Sequence, residues 1–484
     1  MAIKSTRQFI AALQKTGDIV EVNREVDWDL EVGAVVRRLN ETQGPAALFN
    51  KVKDYPEGYR ILGAPLATYR RMAIAMSLPP ETPIREVRSE FERRMASPVR
   101  PVLIRREDAP CKQNILMGED IDLFRFPVPI VHDGDGGRYI GTWHAVIARD
   151  PDTGWVNWGM YRVMVYNFHI ITAQHQPFTD HWSIVQKYFA RGKPAPVVIA
   201  ISMDPMSTLM AMTPIPRGVD ECEFAGGLLE EPVELVKAEL SDIPVPAHAE
   251  IIIEAELTSP NFRLIEGPFG EFTGYRSSPR APRNAYMVKA VTFRNDPILT
   301  VSNMGVPVDD GHIGMSLGMG WDIKKRLQGA GVPITDVYMP PEAAGLICVV
   351  GVRPLYNGIA AQVGNIIGMA ATNIPPHIIV VEDDVDPFNM QEVIHALGTK
   401  CHPLRGITIR PREAATPLTP FLSLEERKWA IGPKAIYDCT WPLEWSRETE
   451  VPPKVSFENV YPAAIKEKVL KNWASDGFAS PSGL

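Results

Sequence analysis

Glu266 and Glu271 stand five residues apart in the stretch FRLIEGPFGEFTGY, with Gly267, Pro268, Phe269 and Gly270 between them. On a helix that spacing turns through roughly 500°, so the two side chains would diverge. In a strand an odd spacing puts them on opposite faces. Gly-Pro and a second glycine favour a tight turn instead. A turn folds the carboxylates back toward one point, with a phenylalanine beside them to exclude water. Two carboxyl groups in an apolar pocket can be held in different protonation states, one an anion and one a proton donor. The other reading is a surface loop with two solvated glutamates.

Three further stretches carry groups that could work with this pair. Trp155-Val156-Asn157-Trp158-Gly159-Met160-Tyr161-Arg162 is strand-like and brings an amide and a guanidinium. Arg162 sits among Met160, Val163, Met164 and Val165. If buried it needs an anionic partner; on an edge strand it would face water. Asp180-His181-Trp182 opens a helix, whose N-terminal dipole disfavours imidazolium and leaves a ring nitrogen for a ligand. A lone histidine can equally be structural. Thr213-Pro214-Ile215-Pro216 supplies a rigid turn ahead of Glu221-Cys222-Glu223-Phe224-Ala225-Gly226-Gly227, where small residues permit close backbone approach. Asn, His and Glu make an oxygen/nitrogen donor set that suits Mn²⁺ or Mg²⁺ better than zinc.

The chain of 484 residues exceeds one ordinary core, so two or three domains are expected. A net charge of −8 argues against nucleic acid or anionic membrane as the main partner. Five scattered cysteines without C-x-x-C spacing read as reduced thiols. No signal-peptide stretch or bilayer-spanning run stands out, which makes the cytoplasm the expected compartment. Residues 1–115 read as a small α/β unit: Ser5 caps a helix that Gly17 stops, Asp18–Val22 is strand-like, and helices follow at Leu30–Leu39 and after Pro83. Residues 116–318 shift to short β-type runs such as Thr142–Ala148, Tyr161–Tyr166, Val197–Ile201, Ala249–Leu257 and Met287–Arg294, the texture of a barrel or sandwich. Helices are expected there at Trp182–Arg191 and Pro232–Leu240. Gly311–Gly320 reads as a glycine-rich turn before a helix at Trp321–Leu327. Beyond 319 strands and helices alternate, with a strand at His377–Val381 running into Glu382, Asp383, Asp384 and Asp386. Those acids can cap the next helix or hold Mg²⁺. A tail helix within Tyr461–Phe478 is apolar enough to dock on its own domain or on a neighbouring subunit.

Taken together, E-G-P-F-G-E-x-x-G-Y, the upstream N-x4-R, the E-x4-G-x-L between them, V-P-A-x-A-E-I, the D-D-x-D at Asp383–Asp386 and the terminal Asn472-Trp473-x3-Gly477-Phe478 resemble the UbiD family of reversible decarboxylases over nearly the whole chain. The resemblance implies an α/β multidomain fold: an N-terminal α/β segment (1–115), a central flavin-reductase-like split β-barrel (116–318), a C-terminal α/β oligomerisation domain (319–455) and a tail helix (456–484). It implies prenylated FMN bound with Mn²⁺ (or Mg²⁺) and K⁺, a flavin prenyltransferase as cofactor supplier, and a homo-oligomer, dimer or hexamer. Asn157, His181 and Glu221 match the metal ligands, and Arg162, Glu266 and Glu271 the catalytic network. Asn157, Met160, Tyr161, Arg162, Asp180, His181, Met212, Thr213, Pro214 and Glu221 make the cofactor-binding set, and His312 falls near the substrate end. Two departures stand out: Gly368-Met369-Ala370-Ala371-Thr372 where a phosphate-side lysine is frequent, and Asp180 where an amide is common.

The implied reaction is non-oxidative decarboxylation of an aromatic, heteroaromatic or α,β-unsaturated acid. Loss of CO₂ from an sp² carbon leaves a carbanion that side chains cannot delocalise, so an organic electron sink is needed. An acid must then protonate the carbon, and Glu271 is the candidate. Met212, Phe272, Met315 and Tyr437–Trp441 are candidate pocket walls. A plain FMN-dependent oxidoreductase on the same barrel, or a non-catalytic assembly subunit, are the alternatives.

Overall fold

The first helix, Thr6–Thr16, ends where its sequence says it should. The Ser5 hydroxyl accepts from the Gln8 N–H at 3.2 Å, and Gly17 closes the helix at φ +74°, a conformation that glycine adopts without a Cβ clash. In the computed structural model, which describes residues 2–175, 179–369 and 375–478, four sheets organise a mixed α/β, multidomain chain. The N-terminal sheet runs Ile19–Val26, Ala46–Val52, Arg60–Gly63 and then Ile298–Val301, so its last strand comes from far along the chain.

The central sheet has ten strands and curls into a half-barrel. Its longest strand, Ala281–Phe293, pairs antiparallel with Ile170–Ala173, Ile251–Leu257, Arg263–Glu266 and Asn114–Met117 along its length. Ala195–Ile201 shows why its sequence runs continuously apolar. Val197, Ile199 and Ile201 enter one core while Val198 and Ala200 enter the other, so both faces of the sheet are covered. A three-stranded sheet and a five-stranded C-terminal sheet (Ile334–Tyr338, Ile347–Val352, His377–Glu382, Ile431–Cys439, Ile407–Ala414) complete the chain. No helix among the described residues is long and apolar enough to cross a membrane.

Several expected elements are different. Pro232–Leu240 is not a helix: Glu234–Lys237 is a strand, paired with Val102–Leu103 and Pro244–Pro246. The helix lies earlier, at Glu221–Leu229, with Gly226 and Gly227 inside it. Those glycines do permit close backbone approach, since a Cβ on Gly226 would stand 2.5 Å from the Val99 carbonyl oxygen. Gly311–Gly320 is not a turn: it lies within a 20-residue helix, Asp310–Gly329. A Cβ on Gly314 would meet Met212 Sδ at 2.5 Å, and one on Gly318 would meet Thr213 Oγ1 at 2.6 Å. Tyr161 and Arg162 precede their strand, Val163–Asn167, rather than lying in it. Glu382 pairs with Arg447 at 2.6 Å, Asp384 with Lys400 and Asp386 with Arg85 both at 2.5 Å, while Asn389 caps the next helix. Cations therefore already answer three of these acids. The tail helix, Ala463–Asn472, buries no residue, so it does not dock on its own domain. Ala370, Ala371 and Thr372, where the family lysine is missing, lie outside the described residues.

Gly226→Ala should lower stability by about 1–3 kcal/mol, because the added methyl meets backbone that cannot rotate away. Denaturant unfolding checks this, and an unchanged midpoint would contradict the packing role.

Candidate active site

Arg162 is placed by the turn that enters Val163–Asn167. The Tyr161 carbonyl just before it accepts from His144 Nε2 at 2.9 Å, which fixes the backbone there. Glu266 ends the strand Arg263–Glu266, opposite Ala281, and Glu271 lies in the loop beyond. Gly267, at φ +81°, turns that loop back toward Arg162. As a result Arg162 Nε and Nη2 donate to the two oxygens of Glu266 at 2.9 and 3.0 Å, and Nη1 donates to Glu271. Both carboxylates are buried, at 1% and 5% exposure, so neither is a solvated surface acid.

Further groups complete this cluster. The buried Tyr139 hydroxyl donates to Glu266 Oε1 at 2.6 Å, and Arg283 Nε stands 3.7 Å from Glu266 Oε2. Burial, and then the Glu266 charge, push the Tyr139 pKa far above its ordinary value, so it remains a donor. Phe269 packs on Tyr139 at 4.2 Å between ring centroids and lies 5.8 Å beneath the Arg162 guanidinium.

The loop carrying Glu271 is braced on both sides. The Gly270 N–H donates to Asp135 Oδ1 at 3.1 Å, while Asp135 Oδ2 binds His132 Nδ1 at 3.0 Å. A Cβ on Gly270 would stand 2.5 Å from the His132 ring. On the other side His312 Nε2 donates to the Phe272 carbonyl at 2.5 Å, and its Nδ1 accepts from the Asp309 N–H at 3.0 Å. His312 thus holds backbone on the Phe272 loop and at the start of the following helix. His132, Asp135, Tyr139 and Arg283 were not among the residues singled out from the sequence. The available signal was Gly136, where a Cβ would lie 2.1 Å from the Gly267 carbonyl oxygen.

A second group forms where the strand Val156–Gly159 meets the helix Glu221–Leu229. Asn157 Nδ2 donates to Glu221 Oε1 and the Trp158 N–H to Oε2, both at 2.8 Å. Burial raises the Glu221 pKa to about 8 and lowers that of His181 to about 3. Asn157 Oδ1 and both ring nitrogens of His181 are buried without a hydrogen-bond partner. The Tyr161 ring lies 5.4 Å from that of His181. Among the described residues no three His, Cys, Asp or Glu side chains form a metal cage. A cation held here would take an amide oxygen as its third ligand. Asp180 is paired with Arg217 at 2.5 Å, which answers the charge that replaces the common amide.

Of the other expected residues, Met212, Phe272 and Met315 share one apolar cluster. Thr213 is buried, with its hydroxyl donating to the Leu209 carbonyl at 2.9 Å, and Met160 and Pro214 are half-buried. Tyr437–Trp441 does not join them. Tyr437 packs beside His377 within the C-terminal sheet, and Trp441 lines a separate cavity of about 1010 Å³ around Glu382 and Lys400. The acid cluster instead adjoins a cavity of about 540 Å³ that reaches Arg283.

A curled half-barrel with a buried Glu-Arg-Glu cluster at one strand end defines the class of this protein. Comparison with known proteins agrees. Residues 10–91, 102–307 and 316–439 match the N-terminal, Rift-related and C-terminal domains of 3-octaprenyl-4-hydroxybenzoate carboxy-lyase, UbiD. The chain is 32% identical to pyrrole-2-carboxylic acid decarboxylase of Pseudomonas aeruginosa over 98% of both chains. It is 33% identical to ferulic acid decarboxylase 1 of Saccharomyces cerevisiae, again over 98% of both. Among solved structures, the closed form of Sedimentibacter hydroxybenzoicus vanillic acid decarboxylase superposes with a TM-score of 0.89 at 28% identity, covering 98% of this chain and 99% of that one. The UbiD-class enzyme HmfF from Pelotomaculum thermopropionicum, in complex with FMN, gives 0.80 at 29% identity over 93% and 97%; an evolved dimeric form of HmfF is in complex with prFMN. This chain belongs to the UbiD family and is a decarboxylase, a carboxy-lyase.

His144, fully buried, has its pKa lowered by burial to about 4. The unfolded chain protonates it near pH 6.5, so its contribution is present above that value and is lost as pH falls toward 4. The difference is worth about 3 kcal/mol at most. Unfolding midpoints measured between pH 7 and 4 should fall more steeply for the native chain than for His144→Gln; equal slopes would contradict it.

Proposed function

We propose that this chain is a reversible, non-oxidative decarboxylase of an aromatic, heteroaromatic or α,β-unsaturated carboxylic acid that uses prenylated FMN. The observation that supports it best is the difference between the two glutamates. Glu266 is tied at both oxygens by Arg162, with Tyr139 and Arg283 behind it. Among the described residues the side chain of Glu271 is held through Arg162 alone. Glu266 therefore fixes Arg162 in place, and Glu271 is the carboxyl able to turn toward a reacting carbon and hand over a proton. Arg162 orients the substrate acid in exchange for its Glu271 contact, while Phe269 and Phe272 limit water at the carbon being protonated. A carboxyl held in that geometry contributes a factor of about 10²–10⁴ to proton transfer.

The unpartnered Asn157 Oδ1 beside the Glu221 carboxyl, together with the unpartnered His181 nitrogens, would fit a hard divalent cation, Mn²⁺ or Mg²⁺, with K⁺ nearby. Met160, Tyr161, Asp180, Met212, Thr213 and Pro214 would complete the cofactor surface. Bound there, prenylated FMN would supply the electron sink that loss of CO₂ requires. Exposed Ile394, Leu404, Val455 and Leu470 support the reading that the C-terminal region packs on another copy of the chain.

Glu271→Gln should lower decarboxylation at least 100-fold and stop proton–deuterium exchange into product, while cofactor absorbance is retained. Near-normal turnover would remove Glu271 from this role. Glu221→Ala should weaken Mn²⁺ binding by about 100-fold or more, read by electron paramagnetic resonance of the free ion. Unchanged binding would move the metal elsewhere.

A further inference from the structure

The cavity beside the acid cluster has walls of two origins. Ser277, Pro279 and Arg283 come from the segment leading into the long barrel strand, and Arg427, Lys428 and Trp429 come from the C-terminal region. Ser277 Oγ, Arg283 Nε and Arg427 Nε, all in these walls, are buried without a hydrogen-bond partner. Arg283 Nε faces Glu266 at 3.7 Å, whereas Ser277 Oγ and Arg427 Nε have no acceptor among the described residues. Each such buried donor is a standing cost of about 1–3 kcal/mol, and two in the walls of one void mark it for an acceptor. Arg427 is held rigidly, with Nη1 donating to the Ser277 carbonyl at 2.8 Å and Nη2 to that of Pro420 at 2.6 Å.

Charge points the same way. Arg162 and Arg283 together balance Glu266 and Glu271. Neither Arg427 nor Lys428 pairs with a carboxylate among the described residues. In a chain of net charge −8 this is a local positive void, and such a void raises the local concentration of anions. Trp429 is 63% exposed and lies 5.4 Å beneath Lys428 Nζ, offering a flat apolar face next to an ammonium group. The floor of the cavity reaches the reaction centre. A Cβ on Gly267 would stand 3.6 Å from the Pro279 carbonyl and 3.7 Å from Arg162 Nη2.

We propose that this cavity is an antechamber that captures aromatic carboxylates ahead of Arg162: Lys428 and Arg427 take the carboxylate and Trp429 the ring. It rests on the decarboxylase reading given above and specifies how that site selects anionic rings. The test uses the full chain. Calorimetric titration with 4-fluorobenzoate should show saturable binding, with its neutral amide at least tenfold weaker. Lys428→Ala should weaken 4-fluorobenzoate at least fivefold, and Lys428→Arg should restore it. In the cofactor-loaded enzyme Lys428→Ala should raise KM rather than lower kcat, and flatten the fall of kcat/KM with salt. Equal binding of acid and amide, or a KM and salt response unchanged by Lys428→Ala, overturns the antechamber. Selective 4-fluorobenzoate binding in a loaded enzyme that releases CO₂ from no aromatic acid would instead sink the aromatic-acid reading while the capture site stands.

Discussion

One guanidinium shared between two buried carboxylates is the constraint around which the site is arranged. Arg162 cannot neutralise Glu266 and Glu271 together, so the cluster stays in the interior only because Tyr139 and Arg283 add a hydrogen bond and a second positive charge. Removing one partner from a buried pair costs about 3–5 kcal/mol, since it leaves a charge without an answer. The cluster therefore demands a scaffold that holds its members within a few tenths of an ångström. The long strand Ala281–Phe293 does this for Glu266 by setting the register of Arg263–Glu266 against it. His144 does it for Arg162 through the neighbouring carbonyl.

The loop that carries Glu271 is irregular, yet it is not loose. His132 braces its first half through Asp135, and His312 braces its second half while also accepting the Asp309 N–H at the start of a long helix. Each histidine thus joins the loop to a different part of the chain. The group around Glu221 is built differently. Its carboxylate is saturated by the Asn157 amide and the Trp158 N–H, while Asn157 Oδ1 and the His181 ring nitrogens are buried without a partner.

Much of this was legible because it depends on local chemistry. Ser5 and Gly17 bracket the first helix through capping, which needs only neighbouring residues. Gly-Pro between the glutamates excluded helix and strand, and the turn that results does bring both carboxylates to Arg162. The failures share one cause. The glycines of Gly311–Gly320 read as a turn, because in isolation glycine weakens a helix. Here Gly314 makes room for Met212 and Gly318 for Thr213, and sequence shows no trace of those neighbours. Pro232–Leu240 likewise reads as a helix, although strand partners on both sides of Glu234–Lys237 decide its conformation.

The amino-acid sequence alone determined the turn at Gly267, the caps, the apolar runs and the order of motifs, since each follows from residues within a turn or two of one another. Only the tertiary structure decided which distant groups meet: Arg162 with two glutamates more than a hundred positions away, Asn157 with Glu221, and His312 with the Phe272 carbonyl. The reason is physical. Propensity and capping act through bonds and nearest neighbours, whereas a buried charge finds its partner through sheet register and close helix contact, which exist only once the chain has folded.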